Sequence, residues 1–151
     1  MNRPWKTTLL AVLLGANLLF IWGNSLLPGE VSGEISGGIL AVFAEVLGQI
    51  LPEGELLLRK LAHFSEFACL GLLLSWRFLI LESRYQFPLP LLCGILAAMT
   101  DETIQVFVSE RGPSVIDVWI DFAGVLTGSC LLLLVHRLVK KHRHTTGGNK
   151  T

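Results

Sequence analysis

Long apolar runs separated by short polar breaks dominate the chain. Four of them reach the roughly 20 helical residues needed to cross a hydrocarbon layer about 30 Å thick. They extend from Lys6 to Leu27, Leu56 to Leu81, Phe87 to Val108 and Val115 to Val139. The pattern predicts an all-α integral membrane four-helix bundle over residues 1–139. Within the loop from Pro28 to Glu55, Ile35, Ile39, Val42, Phe43, Val46, Leu47 and Ile50 recur at helical spacing. This predicts a short amphipathic helix on the outer interface or over the mouth of the bundle. It has no basic residue on its polar side, unlike a helix that binds anionic lipid. Residues 140–151 lack apolar periodicity and read as a disordered basic tail. The first segment shares with secretory signals a basic start, Arg3 and Lys6, before the run Leu9 to Ile21. Trp22 and the poor small-residue match Gly23-Asn24-Ser25 favour an uncleaved helix instead.

Orientation follows from lysine and arginine. No basic residue lies between Lys6 and Arg59, whereas Glu30, Glu34, Glu45, Glu53 and Glu55 do. Arg3 and Lys6, then Arg77 and Arg84, then Arg137, Lys140, Lys141 and Arg143 mark the alternate ends. The positive-inside rule places those ends and both termini in the cytoplasm, with the acidic loop outside.

Composition agrees with a membrane protein. Of 151 residues, 52% are hydrophobic and 16% charged, where soluble domains carry about a quarter charged residues. Twelve basic side chains balance twelve acidic ones, so no nucleic-acid partner is implied. Cys69, Cys93 and Cys130 each sit in an apolar stretch without metal-type spacing and read as packing residues. No phosphate-binding glycine loop, zinc motif or serine-nucleophile elbow is present.

Ionisable side chains inside a bilayer cost about 2.5 to 3.5 kcal/mol each on insertion scales, and here they gather at one depth. The second segment enters from outside with Arg59, Lys60, His63 and Glu66; the third approaches its outer end with Asp101, Glu102 and Gln105; the fourth starts with Ser114, Asp117 and Asp121. At 1.5 Å per residue, Glu66, Asp101 and Asp121 each fall about 10 Å from the outer end of their helix. Three carboxylates at one level predict one cavity. Arg111, in the turn between the third and fourth segments, is placed to pair with Asp117 or to grip an anionic ligand. Five acids then face three bases and His63, so a retained proton or a cationic group must complete the balance. The plainer reading is that these charges pair only to lock helices together. Arg59 and Lys60 would then snorkel to the interface, and Gly124 and Gly128 would form a helix-packing face.

The stretches Arg59-Lys60-Leu61-Ala62-His63-Phe64-Ser65-Glu66-Phe67, Asp101-Glu102-Thr103-Ile104-Gln105, Arg111-Gly112-Pro113-Ser114-Val115-Ile116-Asp117 and Asp121-Phe122-Ala123-Gly124 resemble the VanZ family in order and separation. The resemblance covers about Asn24 to Gly128. It implies a small bacterial membrane protein, with resistance to the glycopeptide teicoplanin associated with the founding member. The family's recurring polar positions correspond to Lys60, His63, Glu66, Asp101, Glu102, Gln105, Arg111, Asp117 and Asp121. Phe67 stands where a tyrosine is frequent, and Asn24-Ser25-Leu26 only partly matches a serine-rich stretch. The resemblance supplies a phenotype without a reaction.

Two functions fit this pattern. One is binding of a lipid-linked or peptidoglycan-related wall precursor in a cavity opening outward, with Arg59, Lys60 and Arg111 near the phosphate level and Ser114 beside the acids. The other is intramembrane acid/base catalysis on an envelope lipid or wall precursor, with His63, Glu66, Asp101 and Asp121 as candidate groups. A metal-dependent version would draw on His63, Glu66, Asp117 and Asp121, but one histidine is thin ligation for zinc. No metal or other cofactor is assigned, and no serine or cysteine is placed as a nucleophile. An ion conduit fits less well, because Leu70 to Leu74, Leu91 to Ala98 and Leu131 to Leu134 offer no matching polar trail.

Overall fold

The computed structural model describes residues 4–27, 54–108, 112 and 114–147. Among these residues four helices follow in this order: α1 (Pro4–Ser25), α2 (Gly54–Ile80), α3 (Pro88–Gln105) and α4 (Val115–Gly147). No strand occurs among the described residues, and the all-α expectation holds. The amphipathic helix expected between Pro28 and Glu55 falls almost wholly on residues 28–53, outside the described residues.

Local chemistry sets the helix ends. α2 stops in a Schellman arrangement: Glu82 N–H donates to Leu79 O at 3.1 Å, Ser83 N–H to Phe78 O at 3.2 Å, and Glu82 has φ 51°. α3 opens with proline in its first turn, where the missing N–H has no intrahelical partner to lose. It ends at Gln105, short of the expected Val108, as Phe107 and Val108 tighten into i→i−3 bonds to Ile104 and Gln105. α4 continues to Gly147, past Val139, where the sequence ends the span and predicts an unstructured tail. Lys140 and Lys141 are good helix formers.

Among the described residues three helical stretches are long and apolar enough to cross a membrane: Trp5–Ser25, Arg59–Ile80 and Val115–His142. The 18-residue α3 is the shortest of the four described helices and carries Asp101 and Glu102 near its end. Large apolar side chains cover the outside, among them Leu19, Trp76, Leu92, Leu96, Leu131 and Leu134, as contact with lipid tails requires. The outward hydroxyls of Thr100, Thr103 and Thr127 each donate to the carbonyl four residues earlier, at 2.7 to 2.8 Å, which satisfies them without water.

The closest helix pair is α2 with α4, which glycines bring together. Gly124 lies on the Phe64 carbonyl, Gly128 on that of Ala68 and Gly71 on that of Val125, so an added Cβ at any of them would strike backbone. Ser129 Oγ donates across the same seam to Gly71 O at 3.2 Å. Gly124 and Gly128 therefore form the small-residue packing face that their spacing suggests. The apolar core consists of Ile21, Phe67, Leu70, Ala97, Ala98 and Val125, one or two from each helix. It fills the bundle directly beneath the polar end.

Candidate functional site

At 3.6 residues per turn, α2 presents Lys60, His63 and Glu66 near one face, each successive residue rotated by about 60°. α3 contributes Asp101, Glu102 and Gln105 from its last turn, and α4 contributes Asp117 and Asp121 from its first two turns. α1 ends at the same level with Asn24 and Ser25, both buried. Sequence reasoning did not place those two in the site. Their signal is a polar pair closing an otherwise apolar helix.

Three groups that meet here are buried: Asp101 is 0% exposed, Asp121 2% and His63 9%. Donor atoms of these three, one from each of three helices, all lie within 4.8 Å of one another. His63 Nδ1 is 4.0 Å from Asp101 Oδ2. The depth argument put Glu66 with Asp101 and Asp121, yet His63 occupies that third place. The 60° rotation between the two α2 residues turns Glu66 toward α1, where Asn24 Nδ2 donates to Glu66 Oε1 at 3.3 Å.

Neutral donors hold Asp101 and Glu102. Gln105 Nε2 donates to Asp101 Oδ2 at 2.8 Å and approaches Ser25 Oγ at 3.4 Å, linking α1 and α3. Ser114 N–H donates to Glu102 Oε2 at 2.9 Å, so Ser114 enters through its backbone. This bond ties the end of α3 to the start of α4. Lys60 Nζ meets Asp117 Oδ1 at 2.9 Å. Lys60 thus reaches a carboxylate instead of the headgroup layer, and it takes the partner that the sequence reading offered to Arg111. Arg111 itself lies outside the described residues. Asp121 accepts no hydrogen bond from any described residue.

A small cavity of about 10 Å³ is lined by Arg59, Lys60, His63, Glu102, Gln105, Asp117, Ile120 and Asp121, which is room for about one water-sized occupant. Arg59 and Lys60 are half-buried at its rim, and the apolar core closes its floor. Among the described residues the formal charge of the site is −5 from Glu66, Asp101, Glu102, Asp117 and Asp121, against +2 from Arg59 and Lys60, a net of −3 with His63 neutral. Such a set can bind cationic groups, exchange protons, or hold a metal through His63, Asp101 and Asp121.

No curated protein and no solved structure matches this chain. The family model described as VanZ/LLP1 matches residues 8–136, a span that takes in α2 and α3 whole, most of α1 and α4, and every polar residue of the cavity. The chain is therefore a membrane-type helical protein that belongs to the VanZ/LLP1 family.

Proposed function

We propose that this protein binds a lipid-linked or peptidoglycan-related ligand in the acidic cavity from the outer side of the cell membrane and thereby alters glycopeptide susceptibility. The observation that carries the proposal is the convergence of α2, α3 and α4 on one buried polar point, with a cationic rim above and an apolar floor below. A wall precursor offers both matching chemistries: phosphate for the rim, and amide or amine groups for the acids. Lys60 is engaged by Asp117. Arg59 pairs with no carboxylate among the described residues and is the rim cation available to a phosphate. In this reading both termini are cytoplasmic, and the cavity end of the bundle faces outward.

The same side chains support a second reading, catalysis, because buried His63 lies 4.0 Å from Asp101, within water-bridged reach of acid/base exchange. One experiment addresses both. Purified protein in lipid nanodiscs is titrated with a labelled lipid-linked wall precursor while product formation is followed. Saturable binding without product supports the proposal, turnover selects the enzyme, and neither outcome at millimolar precursor refutes both.

A further inference from the structure

We infer that His63, Asp101 and Asp121 form a binding site for one divalent transition-metal ion of the zinc or manganese class. This goes beyond the ligand reading and does not depend on it.

The inference starts from Asp121. It is 2% exposed, lines the cavity, and accepts no hydrogen bond from any described residue. A carboxylate in that state needs a proton or a cation. The lysine at the rim cannot be that cation, because its ammonium lies against Asp117 at 2.9 Å. What does lie against Asp121 is a second carboxylate, Asp101, and an imidazole, His63, all three buried and within 4.8 Å of one another. Imidazole with two carboxylates is a mixed nitrogen and oxygen donor set that suits zinc, manganese and iron better than calcium or magnesium.

Size and charge agree. Metal–ligand bonds of about 2.1 Å put the donors around one tetrahedral ion about 3.4 Å apart, so three donors within 4.8 Å of one another need to close by at most about 1.4 Å. The adjoining cavity of about 10 Å³ has room for about one further small ligand such as water. That would leave a coordination position open toward the rim. A divalent ion would also bring the formal net charge of the described site residues from −3 to −1. Gln105 already holds Asp101 at 2.8 Å, the outer support that orients a ligating carboxylate. The sequence assigned no metal because one histidine with neighbours on two helices was thin ligation. The structure changes the set by exchanging Glu66 and Asp117 for Asp101.

The test uses the full chain in detergent, stripped with chelator and then equilibrated at micromolar concentration with Zn²⁺, Mn²⁺ or Co²⁺ alone. Bound metal is counted by mass spectrometry, and helicity is checked by circular dichroism. The expected result is uptake of one ion per chain. Affinity should fall at least about 100-fold in Asp121→Asn and His63→Gln, and about 10- to 100-fold in Gln105→Leu. Asp121→Cys keeps a ligand even if Asp121→Asn does not fold, and should add an ultraviolet thiolate-to-cobalt band to the Co²⁺ spectrum. Helical wild-type protein that takes up none of the three ions overturns the inference. So does uptake equal in wild type and His63→Gln, or an Asp121→Cys spectrum without that band.

Discussion

Replacing Gly128 by alanine should push α2 and α4 apart, and the size of the effect can be worked from the packing. A Cβ at this position would lie 2.8 Å from Ala68 C and 3.0 Å from Leu72 N, with the Ala68 carbonyl oxygen closer still. Carbon contacts normally sit at about 3.5 to 4.0 Å. The obstructing atoms are backbone, so no rotamer change relieves them and the helices must separate by about 1 Å. Such overpacking costs about 1 to 3 kcal/mol, while alanine returns up to about 1 kcal/mol of helix propensity over glycine. Gly15→Ala makes the same chemical change on α1 with nothing within 4 Å of the new carbon, so it should show only the gain. The stability difference between the two variants isolates the packing term, and it should be about 1 to 3 kcal/mol in favour of Gly15→Ala. Reversible unfolding in mixed micelles by titrated denaturing detergent measures both on one scale. Equal stability of the two variants would refute the close α2–α4 seam.

Four further outcomes are expected. If the cavity binds its ligand as proposed, Glu66→Gln, Asp101→Asn and Asp121→Asn should accumulate like wild type yet no longer alter glycopeptide susceptibility; susceptibility equal to that with wild type at equal abundance would make the cluster purely structural. A double-mutant cycle of Lys60→Met with Asp117→Asn should give a coupling of about 1 kcal/mol, since side chains 31% and 25% exposed place the pair nearer surface than buried ion pairs, and zero coupling at low salt would contradict it. Glu82→Gly should stabilise the fold by about 0.5 to 1 kcal/mol by relieving the φ of 51°, unless thermal melting shows no gain. With the native cysteines replaced, Gly112→Cys should react with an impermeant thiol reagent from outside and Glu82→Cys should not; the reverse pattern would invert the topology.

Hydropathy made the helices legible, because a period of 3.6 with long apolar content has few other solutions in lipid. Depth along each helix also selected most of the cavity, since rise per residue is fixed: Lys60, His63, Asp101, Glu102, Gln105, Asp117 and Asp121 all line or adjoin it. Rotation was less legible. Whether His63 or Glu66 meets Asp121 depends on how α2 is turned against α1 and α4, which the glycine seam decides and no single-helix pattern encodes. Asn24 and Ser25 read in the sequence only as a partial family match, because two modest polar residues join the site only where α1 ends beside Glu66 and Gln105. The extension of α4 to Gly147 reflects helix propensity carrying on where apolar periodicity stops.

The apolar floor made by Ile21, Phe67, Leu70, Ala97, Ala98 and Val125 also fixes the electrical position of the cavity. A transmembrane voltage drops mainly across the low-dielectric layer, and a charge gains about 2.3 kcal/mol per 100 mV only if it traverses that layer. Asp101 and Asp121 stand on the open side of the floor, so a cation reaching them crosses little of the field. If the cavity end faces outward as proposed, occupancy should follow the concentration of that cation in the outside medium and stay nearly indifferent to the energised state of the cell, so de-energising the membrane would leave occupancy unchanged.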